Sequence, residues 1–306
     1  MLNDISVVIC TYNRAEMLRD TLESWLSVQN ARFKVELIIV DNNSTDHTAQ
    51  VVEYFRSVYP SRLRHVCETK VGLSYARNRG IKEASGKIVA FVDDDVFFDK
   101  DWLNEVLKAF NGHQEISCIG GNTIPKFDAA KPSWITANVL RLYGSTGSGD
   151  HDKFMIFPEY PVGLNMAFRN EVFTQVGEFN TKLGRIKNSL LSNEEREFFY
   201  RISKADLKVL YASKAVLYHR IPRDRMRKSW VFKRFYWQGI SDVVFWQIIR
   251  PRSKLILFLK TIKTIWILIK KIIFSLELLS FKDKSAIYHL LGTVKQNLAE
   301  IFAISK

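Results

Sequence analysis

The 306-residue chain is short of several things, and each shortage narrows what it can be. It has three cysteines, Cys10, Cys67 and Cys118, an odd number set far apart, each in or beside an apolar run. They suggest no disulfide framework, and buried free thiols in a reducing compartment are expected. No basic stretch followed by an apolar h-region opens the chain; Met1-Leu2-Asn3-Asp4 leads straight into a strand-like run, so no secretory signal is expected. Internal repeats and low-complexity tracts are missing too. The apolar stretch near the C-terminus has no uncharged run longer than Thr264–Ile269, far short of the ~20 residues a spanning helix needs. Residues 1–218 lack any net charge, with 27 Lys/Arg against 27 Asp/Glu.

What charge there is lies at one end. Residues 219–306 hold 18 Lys/Arg and 5 Asp/Glu, which makes up the whole net charge of +13. A neutral body with a basic tail end calls for a polyanionic partner, and phosphates, nucleic acid and an anionic lipid surface are the candidates. The balance is otherwise ordinary, 47% hydrophobic and 25% charged, and the length suits one large α/β domain with an appendage.

Over the first 120 residues strand and helix signals alternate, the pattern of a mostly parallel sheet flanked by helices. Strands are expected at Ile5–Cys10, Val35–Val40, Leu63–Cys67, Ile88–Val92 and Ile116–Ile119. Helices are expected over Arg14–Val28, Thr45–Val58, Ser74–Ala84 and Trp102–Phe110. Residues 122–160 read as a long loop rich in turn formers, and such loops in compact domains are often binding or lid segments. A helix is expected over Glu194–Lys204, with a short strand near Val209–Tyr211 ahead of His219. Helices then run to the end, giving domains at 1–222 and 223–306.

In a sheet of this kind ligands bind beyond the carboxyl ends of the strands. Three polar segments sit there: Thr11-Tyr12-Asn13-Arg14, Asp41-Asn42-Asn43-Ser44-Thr45-Asp46 and Asp93-Asp94-Asp95. Three adjacent carboxylates repel one another unless a cation neutralises them. Oxygen ligands suit Mg²⁺ or Mn²⁺, which would bridge the phosphates of a substrate. A solvated acidic turn is the plainer alternative.

These residues carry a resemblance. Val7-Val8-Ile9-Cys10-Thr11-Tyr12-Asn13-Arg14, Ile39-Val40-Asp41-Asn42-Asn43-Ser44-Thr45-Asp46, Ala76-Arg77-Asn78-Arg79-Gly80 and Phe91-Val92-Asp93-Asp94-Asp95 resemble the consecutive signatures of the family 2 glycosyltransferases. Gly163-Leu164-Asn165-Met166-Ala167-Phe168-Arg169 and Glu194-Glu195 with Arg201 continue the match over roughly residues 5–220. The resemblance implies a nucleotide-sugar-binding α/β fold of the GT-A type and inverting transfer, with Mn²⁺ or Mg²⁺ as cofactor. It implies that Thr11, Tyr12 and Arg14 line the nucleotide pocket and that Asp41 or Asn42 meets the base. Asp93 and its neighbour Asp94 would lie by the ribose or sugar, with Asp95 and Asp93 at the metal. Arg77 and Asn78 would order the site or reach the phosphates. A uridine diphosphate sugar is the expected donor.

Inverting transfer is a direct displacement, so an acceptor hydroxyl must lose its proton as it attacks, and a positioned carboxylate can accept it. The resemblance points to Glu195, with Glu194 beside it. Ser192-Asn193-Glu194-Glu195 also fits a capping box, in which Glu195 merely closes the helix start. Thr11 and Asp46 could likewise be helix caps. His219, by resemblance, joins the metal-diphosphate region, followed by Arg220, Arg223, Arg225 and Arg227 closing over the diphosphate; a structural His is the alternative.

Lys254–Phe281 is strongly apolar, yet Lys260, Lys263, Lys270 and Lys271 interrupt it. At about 100° per residue these lysines fall within an arc of roughly 100°, as in a helix that lies in a membrane interface among anionic headgroups. A core-packing or dimer helix is the alternative. The expected protein is therefore a glycosyltransferase peripheral to the inner face of the cell membrane. It would act on a glycan or lipid-linked acceptor in polysaccharide or glycolipid biosynthesis. A polyprenyl-phosphate sugar synthase is the second reading and a nucleic-acid-binding protein the third; neutrality of residues 1–218 and the lack of a recognisable module argue against nucleic acid.

Overall fold

A computed structural model describes residues 3–28, 33–59, 62–187, 189–273 and 280–302. In chain order the strands and helices are β1 (Ile5–Thr11), α1 (Ala15–Trp25), β2 (Val35–Asp41), α2 (Thr48–Val58), β3 (Leu63–Cys67), α3 (Leu73–Glu83), β4 (Ile88–Asp93), β5 (Val96–Phe98), α4 (Trp102–Gly112) and β6 (Ile116–Phe127). There follow α5 (Ala137–Leu140), β7 (Lys153–Met155), β8 (Asn165–Arg169), α6 (Glu171–Val176), α7 (Glu194–Lys204), β9 (Lys208–Ile221), α8 (Lys228–Ile249), α9 (Lys254–Ile273) and α10 (Phe281–Phe302).

Among the described residues all nine strands join one sheet, in the order β3-β2-β1-β4-β8-β6-β9-β5, with β7 on the side of β9. The parallel series anticipated from the alternation is β3-β2-β1-β4. Strands β1, β2 and β4 are buried almost throughout and largely apolar because helices cover both faces, whereas the edge strand β3 exposes Arg64 and Cys67. Successive residues alternate between two cores. Val7, Ile9, Leu37, Ile39, Ala90 and Val92 meet α1, α2 and α4 on one face. Val8, Ile38, Val40, Val89 and Phe91 meet α3, α6 and α7 on the other, in a phenylalanine-rich layer.

Beyond β4 the sheet turns mixed. β8 runs antiparallel to both β4 and β6, so Ile116–Ile119 lies one strand away from the parallel series instead of completing it. β6 continues to Phe127, past the expected start of the long loop, because it pairs in parallel with β9 along nearly its whole length. By the same pairing β9 is one strand, not a short one near Val209, and His219 sits within it. All three cysteines are free, but burial is not general: Cys118 is buried, Cys10 half-buried and Cys67 exposed.

The helical C-terminus is tied down by a close crossing of α8 and α10. A Cβ at Gly239 would press into the carbonyl oxygen of His289, and one at Gly292 into that of Tyr236. Aromatic stacking supports the crossing, with Phe232 5.1 Å from Tyr288, and ties α8 to the 122–160 segment, where Tyr143 lies 5.2 Å from Trp230. Helix α9 turns Leu257, Thr261 and Leu268 inward and leaves eight large apolar side chains exposed, from Leu255 to Ile269. Of the expected 254–281 helix, residues 274–279 lie outside the described residues, as do the side chains of Lys271 and Ile273. No helix among the described residues is long and apolar enough to cross a membrane.

Gly239→Ala tests the crossing. Alanine is the better helix former by about 1 kcal/mol, yet backbone cannot yield to a new Cβ as a side chain can. Urea unfolding should show a net loss of about 1–3 kcal/mol; a stabilised variant would mean the helices do not meet at Gly239.

Candidate active site

Register brings the polar strand ends together. Thr11 pairs with Asp41 across β1 and β2, and Cys10 pairs with Asp93 across β1 and β4, so the three segments share one edge. Asp94 accepts from the Thr11 hydroxyl at 2.8 Å and from Arg14. Asp95 Oδ2 accepts from Arg14 at 2.6 Å and Arg225 at 3.1 Å, and faces His219 Nε2 at 3.4 Å. Burial alone would raise Asp95, but Arg14, His219 and Arg225 hold it well below the usual carboxylate range. Burial pushes Asp94 up to about 6, against the pull of Arg14.

Two details here suit a cation. Asp95 Oδ1 is buried with no hydrogen-bond partner among the described residues. His219 Nδ1 sits 2.6 Å from the Tyr143 carbonyl, which can only accept, so this nitrogen carries the hydrogen. In the neutral ring Nε2 then offers a lone pair towards a carboxylate, an arrangement that a proton or a metal ion completes. A metal-binding histidine is usually oriented by just such a second contact. Asp93 turns elsewhere, towards Arg77 at 3.8 Å.

Arg77, on α3, is 2% exposed and lies between two helices and the sheet. Its guanidinium meets Glu194 Oε1 at 3.3 Å, Glu195 Oε1 at 3.2 Å and the Gly163 carbonyl at 3.4 Å. Glu194 is 3% exposed and Glu195 17%, so the second faces the cleft more openly. Burial, reinforced by the charge of Glu195, pushes Glu194 up to about 8, with Arg77 opposing. Glu195 goes the other way: burial would raise it, but Arg77 and hydrogen bonds hold it below the ordinary glutamate value. The two shifts run in opposite directions, favouring the ionised form at Glu195 and the protonated form at Glu194.

The capping-box alternative for Glu195 is not realised. Asn193, at a left-handed φ of 73°, begins the helix one residue later than the box requires, and the Ser192 N–H donates to Ser241 instead. Asn193 is held by Asp242 of α8, which accepts from its amide at 2.9 Å, from Arg196 at 3.2 Å and from His289 of α10 at 3.0 Å. Asp46 does act as a cap, accepting from Ala15 at the start of α1 and from Thr48 at the start of α2; Thr11 does not.

Two adjoining hollows open at this edge. The smaller, about 170 Å³, is lined by Thr11, Tyr12, Asn42 and Gly72; the larger, about 380 Å³, by Asp95, His219, Glu194 and Glu195. Arg14, Asp93, Arg185 and Arg225 line both. Other expected residues are committed elsewhere. The Asn42 amide donates to the carbonyls of Glu68 and Lys70 and its oxygen accepts from Gly72, pinning that loop. Asp41 accepts from the Ser44 N–H at 2.9 Å. Asn78 bonds both backbone groups of Phe179, so it orders the site and does not reach into it. Of the four arginines after His219 only Arg225 enters: Arg220 pairs with Asp20 and Asp128, and Arg223 and Arg227 are exposed outside both hollows, because the chain leaves β9 in a turn.

Sequence reading overlooked Arg185 and Arg234, both in the larger hollow. Arg234 belongs to a polar stripe with Gln238, Ser241 and Asp242 on an otherwise apolar helix, a helical-spacing signal that was there to read. It also overlooked that His65 and Cys67, two apart on one strand face, bring their ligand atoms within 4.8 Å of each other and of Asp41.

Comparison with known proteins gives a consistent picture. The model for Glycosyl transferase family 2 matches residues 6–174. A glucosyl-dolichyl phosphate glucuronosyltransferase of Haloferax volcanii is 29% identical over 245 residues, covering 78% of this chain and 76% of the relative. The succinoglycan biosynthesis protein ExoM of Rhizobium meliloti is 24% identical over 77% of this chain and 72% of its own. Among solved structures, a mannosyltransferase from Pyrobaculum calidifontis in complex with GDP-Man and Mn²⁺ superposes with a TM-score of 0.62, at 18% identity, over 98% of this chain and 88% of its own. The S. aureus TarS structure with UDP-GlcNAc follows at 0.52, 18% identity, 78% and 66%.

Arg77→Met removes the cation between two buried carboxylates and should cost about 3–5 kcal/mol at neutral pH. The sign of its pH dependence is fixed. Unpaired carboxylates have raised pKa values in the folded state, so the variant's deficit should shrink as pH falls and they protonate. Urea unfolding at pH 7 and pH 5 measures both; a deficit that is flat with pH would mean Arg77 acts by packing alone.

Proposed function

The chain belongs to glycosyl transferase family 2, and from that premise we propose that it transfers a sugar with inversion from a nucleotide-diphosphate donor to an acceptor hydroxyl, with Glu195 as the base. The observation that carries this reading is the ionised, cleft-facing Glu195, set in the same hollow as Asp95 and His219. One base that is ionised at neutral pH is what a direct displacement requires. Glu194, protonated and more deeply buried, is suited to hold its neighbour in place.

The smaller hollow, with Thr11 and Tyr12, takes the nucleoside, and Arg14 and Arg225, which line both hollows and meet Asp95, take the diphosphate. The orphaned oxygen of Asp95 and the oriented His219 support a site for Mn²⁺ or Mg²⁺, with Asp93 nearby. When bound, the ion would neutralise charge on the diphosphate leaving group. Arg14 and Arg225 already gather at Asp95 and would share that charge. Uridine diphosphate sugars are the proposed donors; the solved relatives carry UDP-GlcNAc in one case and GDP-Man in another, so both nucleotides belong in the test. The glucosyl-dolichyl phosphate named for the Haloferax relative supports an acceptor in glycolipid or polysaccharide assembly. We place residues 1–222 as the transferase domain and 223–306 as a basic helical extension. Its helix α9 rests on the cytoplasmic face of the membrane, supported by the exposed row of Leu255, Phe258, Leu259, Ile262, Trp266 and Ile269 beside lysines.

A panel of UDP- and GDP-sugars with either metal, read by nucleotide release, tests the reaction. Glu195→Gln should lower turnover by roughly 10²-fold or more while donor binding is retained, Glu194→Gln should stay near wild type, and Asp95→Asn should lose metal-dependent turnover. Full activity in Glu195→Gln with loss in Glu194→Gln would move the base one residue back.

For the membrane surface, the lysines should each add on the order of 1 kcal/mol at an anionic interface, an effect that salt screens. Changing Lys260, Lys263, Lys270 and Lys271 together to Gln should release the protein from anionic vesicles at low salt, and Trp266→Ser should weaken sedimentation at every salt concentration. Wild type that never sediments with vesicles would sink the idea.

A further inference from the structure

We propose that the larger hollow contains a second anion site, separate from that of the donor diphosphate, in which Arg234 and Arg185 hold a phosphate group of the acceptor. This rests on the transferase reading above, in which Glu195 marks the acceptor side. Six guanidinium groups line the hollow: Arg14, Arg77, Arg141, Arg185, Arg225 and Arg234. Arg14 and Arg225 are answered by Asp94 and Asp95, and Arg77 by Glu194 and Glu195. Arg141, Arg185 and Arg234 have no carboxylate within ion-pair distance among the described residues, and of these Arg185 lies close enough to Arg234 for the two charges to repel.

Arg234 is the sharper case. One terminal nitrogen donates to the Ser192 hydroxyl at 3.2 Å, while the other, Nη1, is buried without a partner. A charged donor withdrawn from water with no acceptor is costly, so such atoms mark where a missing partner belongs. Burial and the charge of Arg185 push Arg234 down to about 10. An anion between the two arginines would answer the orphaned N–H and cancel the repulsion, and the guanidinium fork matches the geometry of a phosphate.

The position favours acceptor over donor. Arg234 does not line the smaller hollow where Thr11 and Tyr12 lie. It projects from α8 beside Ser192, near enough for Glu194 and Glu195 to act on its charge. A ligand presenting a hydroxyl to Glu195 and a phosphate to Arg234 and Arg185 is a sugar phosphate, either free or linked through that phosphate to a lipid.

The experiment is equilibrium binding to the full chain with UDP or GDP and Mn²⁺ saturating, using glucose 1-phosphate, farnesyl phosphate and farnesol as probes. At least one phosphate probe should bind alongside the nucleotide, and Arg234→Gln should weaken it roughly tenfold or more while nucleotide affinity stays within about twofold. Preference for farnesyl phosphate over glucose 1-phosphate identifies a lipid source, and the reverse a free sugar phosphate. Arg185→Gln, at an exposed residue, gives the same reading should Arg234→Gln fail to fold. The proposal is overturned if nucleotide displaces the phosphate probes, if the variants weaken nucleotide instead, or if farnesol binds as well as farnesyl phosphate in wild type and variants alike. Should neither nucleotide bind, the donor reading fails on its own, and the loss of phosphate binding in Arg234→Gln still decides this one.

Discussion

The arrangement at the sheet edge depends on one buried cation. Arg77 reaches from α3 to Asp93 at the end of β4, to both glutamates at the start of α7, and to the carbonyl of Gly163 just ahead of β8. Two adjacent carboxylates withdrawn from solvent repel each other, and without a shared cation α7 could not present both to the same hollow. The contact also needs backbone to come close: a Cβ at Gly163 would collide with Glu195 itself. Because Glu194 lies deeper than Glu195, burial raises the one while Arg77 and hydrogen bonds lower the other. Chemical difference between two identical side chains thus comes from position alone.

The fold was legible where burial is two-sided. Runs such as Val7-Val8-Ile9 and Leu37-Ile38-Ile39-Val40 need no alternation, since every residue meets one core or the other, and their polar ends had to fall on one edge. Local pattern was less informative where a distant partner decides. Ser192-x-x-Glu195 carries the letters of a capping box, but the left-handed Asn193 shifts the helix start and Arg77, 118 residues away, claims the carboxylate. Arg220 and Arg225 look alike in sequence; only the turn after β9 sends one to Asp20 and Asp128 and the other to Asp95. Arg234 gave only a faint signal, a polar stripe with Gln238, Ser241 and Asp242 on a helix whose other residues are mostly apolar and whose packing partners are distant in sequence.

Charge within the cleft is distributed unevenly, and this follows from where the carboxylates sit. They cluster on β4 and at the head of α7, neutralising the arginines nearest to them. Those contributed by the segment before α7 and by α8 are left in excess. The hollow is therefore neutral along the sheet edge and positive along its helical wall, a polarity well suited to orienting an elongated anionic molecule before any specific contact forms.

The link from His289 through Asp242 to Asn193 has its own consequence. The strained turn that aims the two glutamates is pinned from α8, and α8 in turn is clasped by α10 at a crossing that admits no side chain. Removing the basic, apolar end of the chain would take His289 with it and leave Asp242 without that partner. Recombining the extension with that of a relative would do the same unless Gly239, Asp242 and Asn193 travelled together. These residues act as one unit, although from Asn193 to His289 they are spread over 97 positions of the chain.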